Sequence, residues 1–150
     1  MVGDVVLGEE SSVWYGSVLR GDVGPIRIGA RTNIQDASIL HTTRGRSGLT
    51  VGSEVTVGHR VILHGATVHD RCLIGMGAIL LDDCEIGEES LVAAGSVVLE
   101  RTIVPPRSFV AGVPAVVRGP IPAEIHGRLR ESAAGYVLLA REHAALGVRP

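Results

Sequence analysis

Aliphatic residues recur at every sixth position through the second half of the chain. Ten successive positions at this spacing hold only isoleucine, leucine or valine, and they are Ile62, Val68, Ile74, Leu80, Ile86, Val92, Val98, Val104, Val110 and Val116. A small residue stands two positions before most of them, from Ala66 to Ser108. An α-helix cannot keep a six-residue period, whereas a short strand followed by a corner can. The pattern predicts a parallel β-helix whose stacked coils lie about 4.8 Å apart, with the aliphatic column inside.

The six-residue spacing continues upstream in shorter runs, over residues 7–19, 28–40 and 51–57, before a five-residue step from Val57 to Ile62. Extra residues fall in segments 21–27 and 42–50, which we expect to form loops outside the stack. Since three short strands close one triangular coil, roughly eighteen repeats predict about six coils.

From Pro120 the apolar period changes to steps of four and three. The positions that form this stripe are Ile125, Leu129, Ser132, Tyr136, Leu139, His143 and Leu146. Such spacing is typical of one face of an amphipathic helix. We therefore expect residues 1–119 to form the β-helix and residues 120–150 to form a helix packed on its outside, within the same domain. The fold class is all-β with one appended α-helix.

Composition excludes several classes of function. The chain has 150 residues, 45% of them hydrophobic, which suits one globular domain. A net charge of −2 argues against a partner that is a nucleic acid or an anionic membrane. All 14 basic residues are arginine, so Schiff-base chemistry and a lysine-dependent P-loop are excluded. Neither a signal peptide nor a transmembrane segment is visible, and a cytoplasmic protein is expected.

Three histidines lie in the repeat next to the places where its spacing is disturbed. His41 and His64 each follow an inward-facing position and are three repeats apart, which is one coil. We expect their imidazoles to stack on one face, close enough to bind one metal ion. His59 lies around the intervening corner, where its own chain does not bring it to that ion; a neighbouring subunit packed against that face could supply it.

Several motifs stand in the order found in γ-class carbonic anhydrases. They are Arg20-Gly21-Asp22, Asn33-Ile34-Gln35-Asp36, Leu40-His41, Gly58-His59-Arg60-Val61-Ile62-Leu63-His64-Gly65, Gly75-Met76-Gly77-Ala78 and Ala111-Gly112-Val113-Pro114-Ala115. Over nearly its whole length the chain resembles this family of hexapeptide-repeat proteins. The resemblance implies a left-handed β-helix and a homotrimer with three metal sites at the subunit interfaces.

The resemblance also implies a role for each site residue. The metal ligands are His41 and His64 of one chain and His59 of the next. Gln35 hydrogen-bonds the metal-bound water, and Asn33 belongs to the polar wall of the pocket.

The charged residues of the family's subunit interface correspond to Arg20, Asp22 and Asp36. Tyr136 resembles the helix tyrosine that approaches the metal pocket in the short-looped branch of the family. The two cysteines, Cys72 and Cys84, occupy small-residue positions and are expected to serve packing.

Two departures from the family pattern concern the loops and the start of the chain. Active members carry acidic residues after the Arg-x-Asp motif and in the loop after the first ligand, whereas this chain has Val23 and an acid-free segment 42–49. A proton shuttle of that type is therefore not expected. The family also has a further strand or coil before the position of Met1, so the first coil is expected to be frayed.

The activity that the resemblance implies is reversible hydration of carbon dioxide by a metal-bound hydroxide. The metal is Zn²⁺, or Fe²⁺ or Co²⁺ in the same ligand set. Three alternatives stay open: a metal-dependent thioesterase or other acyl hydrolase, a hexapeptide acyltransferase that uses a histidine as base, and a non-catalytic assembly subunit.

Overall fold

The computed structural model describes residues 1–46 and 48–147, which form short strands followed by one helix. The strands are β1 (Val2–Leu7), β2 (Ser12–Val13), β3 (Val18–Ile28), β4 (Asn33–Ile34), β5 (Ile39–His41), β6 (Leu49–Val51), β7 (Thr56–Val57), β8 (Ile62–His64), β9 (Thr67–Val68), β10 (Leu73–Ile74), β11 (Ile79–Leu80), β12 (Glu85–Ile86), β13 (Leu91–Val92), β14 (Val97–Val98), β15 (Ile103–Val104), β16 (Ser108–Gly112) and β17 (Ala115–Pro120). The helix is α1 (Ala123–Ala145).

The strands form three faces of a solenoid. Face one holds β1, the end of β3, β6, β9, β12 and β15, and face two holds β2, β4, β7, β10, β13 and β16. Face three holds the start of β3, β5, β8, β11 and β14. The expected loop at 21–27 is wrong, because that segment lies within β3 and pairs with β1 and β6. Every pairing between coils is parallel, and the antiparallel β17 closes face two. The expected parallel β-helix of about six coils with a C-terminal helix is confirmed.

The core is the aliphatic column that the repeat predicts, with two corrections. From Val68 to Val110 the eight predicted positions are 0–2% exposed. Ile62 is 37% exposed, however, and its neighbour Leu63 is fully buried instead, because the short step lies after Leu63 and not before Ile62. Val116 is 47% exposed since β17 turns back beyond the last parallel coil.

The corner between face one and face two carries alternating charges. Six residues with positive φ follow one another there, one per coil: Glu10, Arg31, Glu54, Arg71, Glu89 and Arg107. Arg31 contacts Glu54 at 2.6 Å, and Glu89 accepts from both Arg71 and Arg107 at 3.1 Å. Because parallel pairing places like positions side by side, the alternation puts opposite charges next to each other.

Helix α1 lies along face two, against β2, β4 and β7. Pro122 precedes its first turn, and Leu129 and Ala133 are its buried residues. The Trp14 ring packs edge-on against Tyr136, with centroids 5.2 Å apart. The end of the predicted apolar stripe does not pack, since Leu146 is 80% exposed. Within residues 1–46 and 48–147 no helix is long and apolar enough to span a bilayer.

The charged corner predicts how stability depends on pH. Hydrogen bonds from Arg107 and Arg71 lower the pKa of Glu89, so its contribution to stability is present above the unfolded-state pKa and is lost as the pH falls. Glu89→Gln should lower the free energy of unfolding by up to about 1 kcal/mol at pH 7 and have a smaller effect near pH 3. Urea denaturation at both pH values measures this, with the exposed Glu131→Gln as control. An equal effect of Glu89→Gln at both pH values would contradict the assignment.

Candidate metal centre

Two histidine side chains lie side by side on face three. β5 and β8 are adjacent and in register, so that His41 pairs with His64. The two ring centroids are 5.2 Å apart, and Nδ1 of His41 lies 3.2 Å from Nε2 of His64. In a tetrahedral site with metal–nitrogen distances of about 2.0–2.1 Å, two ligand nitrogens are about 3.3–3.4 Å apart. The observed separation therefore suits a shared ion.

A carboxylate behind each ring fixes which nitrogen carries the proton. Oδ2 of Asp82 lies 3.2 Å from Nδ1 of His64, and Oδ1 of Asp22 lies 3.2 Å from Nε2 of His41. Because a carboxylate only accepts, these two ring nitrogens donate. In neutral rings the nitrogens that face each other then carry lone pairs. The two facing nitrogens suit a divalent cation between the rings. The carboxylate at the outer nitrogen of each ring holds that ring in its orientation.

Arg20 supplies positive charge to this pair. Its Nη2 lies 3.3 Å from Nδ1 of His41, and its Nη1 donates to Asp22 at 2.7 Å. The hydrogen bond from Arg20 lowers the pKa of Asp22. Since a guanidinium only donates, its approach agrees with a lone pair on Nδ1 of His41.

His59 lies at the corner between face two and face three, away from this pair. Its side chain is 42% exposed, and its Nδ1 lies 2.9 Å from Oδ2 of Asp36, one coil earlier. Donation to that carboxylate leaves Nε2 as the free ligating atom. Within a single chain, no group of three or more His, Cys, Asp or Glu side chains among the described residues is arranged to hold a metal.

A hydrogen-bonded row of polar side chains lies beneath α1 on face two. Gln35 Nε2 donates to Asn33 Oδ1 at 3.1 Å, and Asn33 Nδ2 donates to the Thr56 hydroxyl at 3.1 Å. Thr56 in turn donates to Ser132 of the helix at 3.0 Å. Asn33, Gln35 and Thr56 are at most 6% exposed. The row fixes the amide of Gln35 with its nitrogen toward Asn33.

Tyr136 lies on the helix close to this row. Burial, with a smaller contribution from the charge of Asp36, raises the pKa of its hydroxyl, so Tyr136 is protonated at neutral pH. Burial likewise raises the pKa of the Cys72 and Cys84 thiols to about 12, which makes them poor metal ligands.

The sequence analysis missed Asp82 and Thr56, and it assigned Ser132 to the helix stripe without a role at the site. Coil spacing could have placed Asp82 near the histidines, because it follows Gly65 by the same 17 residues that separate the paired Leu63 and Leu80. The helix contact of Thr56 carries no comparable signal, since the docking position of α1 depends on tertiary packing.

Comparisons with known proteins agree with the fold and the motifs. The family model "Bacterial transferase hexapeptide (six repeats)" matches residues 65–100. "Probable carbonic anhydrase" of Methanocaldococcus jannaschii is 39% identical over 93% of this chain and 87% of its own length. "Gamma carbonic anhydrase 1, mitochondrial" of Arabidopsis thaliana is 41% identical over 100% of this chain and 56% of its own length.

A solved structure of a hexapeptide transferase family protein from Anaplasma phagocytophilum has a TM-score of 0.89 and 40% identity, covering 94% of this chain and 82% of that one. The chain spans only 56% and 54% of the two mitochondrial Arabidopsis relatives that match nearly all of it. The identities over most of the chain confirm the resemblance, and the chain belongs to the γ-class carbonic anhydrase-like family of hexapeptide-repeat proteins.

Proposed function

We propose that the chain is a metal-dependent carbonic anhydrase-like enzyme that interconverts carbon dioxide and bicarbonate, with its metal ion between subunits of a homotrimer. The observation that carries the proposal is the 3.2 Å approach of His41 Nδ1 to His64 Nε2, with a carboxylate behind each ring. The relatives named carbonic anhydrase support carbon dioxide as the substrate.

The ligand chemistry suits Zn²⁺, and Fe²⁺ or Co²⁺ fit the same imidazole set. A divalent ion held here supplies Lewis-acid activation of water, the chemistry that hydrates carbon dioxide at neutral pH. Asp22 and Asp82 favour the tautomers of His41 and His64 in which the two facing nitrogens carry lone pairs. His59 of a neighbouring chain is the third ligand in this proposal.

Gln35 lines the same cavity as His59, so in this mechanism Gln35 of the chain that supplies His59 orients the reacting water. Its Nε2 is taken by Asn33, so Oε1 is the atom that accepts a hydrogen bond from that water. The orientation of Asn33 is supported by the Val55 carbonyl, 3.4 Å from Asn33 Nδ2, since a carbonyl oxygen only accepts. Tyr136 borders the site on the side of helix α1, with its hydroxyl protonated.

An apolar stripe on face three supports assembly with further copies of the chain. Val18, Ile39 and Ile62 pair in register across β3, β5 and β8 and are 43%, 39% and 37% exposed. They stand on the same face as His41 and His64. A partner that covers the stripe would bring its own corner, including its exposed His59, toward the pair. Arg20, Asp22 and Asp36 provide the charged part of that interface.

Acyl transfer is the second candidate, favoured by the likeness to the hexapeptide transferase family protein from Anaplasma phagocytophilum. A histidine acting as general base needs no metal, so metal content separates the two candidates.

A cytoplasmic location also belongs to the proposal and suits the two buried free cysteines, Cys72 and Cys84.

The metal proposal predicts one ion per chain. His41→Ala and His64→Ala should each lose most of the metal, because a site built from three imidazoles tolerates little ligand loss. Elemental analysis after dialysis measures this. His69→Ala is the matched control, because its imidazole also pairs with a carboxylate, Glu85, at 2.7 Å. Full metal content in His41→Ala or His64→Ala would contradict the site.

The division of ligands between chains predicts complementation. Mixed trimers of His59→Ala and His64→Ala chains should recover metal at about one quarter of the sites, since each mixed ring contains one interface with an intact ligand set. Mixtures of His41→Ala and His64→Ala are the control and should recover none, because both ligands come from the same chain. Equal recovery in the two mixtures would place the ligands differently.

The lack of an acidic shuttle predicts turnover limited by proton removal. The half-buried Val23 and the acid-free segment 42–49 stand where active members of the family carry carboxylates. Imidazole buffer should therefore raise the rate of carbon dioxide hydration, and Val23→Glu should raise it about 10-fold in weak buffer. Stopped-flow assays against buffer concentration measure both effects. Val117→Glu, at a position 46% exposed on β17, is the control.

Two outcomes of that assay would contradict the proposal. A high wild-type rate that is independent of buffer would show that another group transfers the proton. A background rate at every buffer concentration in the fully metallated protein would favour acyl chemistry or a non-catalytic role.

A further inference from the structure

We propose that Asp82 is a positioning residue for the metal, holding His64 in its ligating orientation, and that Gly65 is present to make room for the Asp82 carboxylate. The inference rests on the proposed metal centre. It is carried by the contacts of Asp82, which is 7% exposed, and by the backbone of the corner between face three and face one.

Asp82 stands beside Gly65, one coil later, and its carboxylate reaches across to the neighbouring His64 ring. The amide of Asp83 donates to the carbonyl of Gly65, which sets Asp82 in register with Gly65. Oδ2 of Asp82 lies 3.2 Å from Nδ1 of His64 and accepts from the Thr43 hydroxyl at 3.0 Å. A carboxylate on the outer nitrogen of a ligating imidazole fixes its tautomer and strengthens it as a donor.

The loop after His41 also holds this carboxylate. Thr43 donates to Oδ2 of Asp82, and Nη1 of Arg46 lies 3.5 Å from the same atom. Oδ1 is buried and has no hydrogen-bond partner. An unpaired buried carboxylate oxygen is costly to stability, so a purely structural role explains Asp82 poorly.

Gly65 gives independent support. Its φ of +60° does not itself demand glycine, because Asp83 and Arg101 adopt φ of +60° and +59° at the same corner of the next two coils. A Cβ on residue 65, however, would lie 2.2 Å from Oδ1 of Asp82. The missing side chain therefore accommodates the carboxylate in its place beside His64.

The test measures metal affinity and apo-protein stability together. In the purified full-length protein, Asp82→Asn should weaken Zn²⁺ binding about 10–100-fold in competition with a chelator. The melting temperature of the metal-free variant should change by less than about 3 °C, because the variant also relieves the unpaired carboxylate. Glu85→Gln, which alters the His69 pair instead, should leave Zn²⁺ affinity unchanged.

Gly65→Ala provides a second variant, with Gly95→Ala as its matched control. Gly95 has φ of +69° and nothing within 4 Å of an added Cβ, so it carries comparable backbone strain without crowding. Only Gly65→Ala should weaken Zn²⁺ binding.

Wild-type affinity in both Asp82→Asn and Gly65→Ala would overturn the inference while leaving the metal centre intact. A fall in apo melting temperature that accounts for the affinity loss would also overturn it. Absence of Zn²⁺ binding by the wild-type protein would instead reject the metal centre itself, and the inference with it.

Discussion

The parallel backbone hydrogen bonds between successive coils are the interaction on which the rest of the structure depends. Gln35 N donates to Val57 O and Ile39 N to Val61 O, both at 2.9 Å, and similar bonds continue along each face. They set every residue beside its counterpart one coil away, at the ~4.8 Å spacing of paired strands. A chemical pattern that repeats once per coil thus becomes a line of touching side chains. The facing imidazoles, the charged corner and the apolar stripe are all such lines.

One of these lines explains the chemistry at the end of face three. Arg20, His41 and His64 follow one another, one residue per coil. Asp82 and Glu100 continue the series one position further along, with Asp82 beside Gly65. A cation lies at one end, carboxylates lie at the other, and the two imidazoles stand between them. Arg20 donates to Asp22 as well as to His41, so the same guanidinium balances an anion and faces a ring lone pair. Asp22 and Asp82 stand at the outer nitrogens of the two rings, which leaves the two facing nitrogens as the pair of acceptors.

Sequence periodicity predicted the coils because each six-residue repeat corresponds to one short strand and one corner. It placed His41 and His64 on one face for the same reason. The inward position at residue 62 was wrong, since Ile62 and Leu63 are both aliphatic and only the corner at Gly65 decides which faces inward. Asp82 was missed because the spacing places Leu81 opposite His64, and the direction of the Asp82 side chain is what brings its carboxylate to that ring. The set that includes His59 rests on the family resemblance, because a single chain does not bring the three histidines together.

The corners of the solenoid differ in whether their charged and polar side chains find partners within one chain. Along the Glu/Arg corner every glutamate meets an arginine of the same chain, as Glu54 meets Arg31. Near the histidines this pairing is incomplete. In the described part of the chain, the buried side-chain polar atoms without a hydrogen-bond partner are Thr42 Oγ1 and Asp82 Oδ1. Thr42 follows His41 and Asp82 contacts His64. Unsatisfied buried polar groups are rare in folded proteins and concentrate at functional sites. Their position next to the imidazole pair favours a site that binds a cation over a corner that serves stability alone.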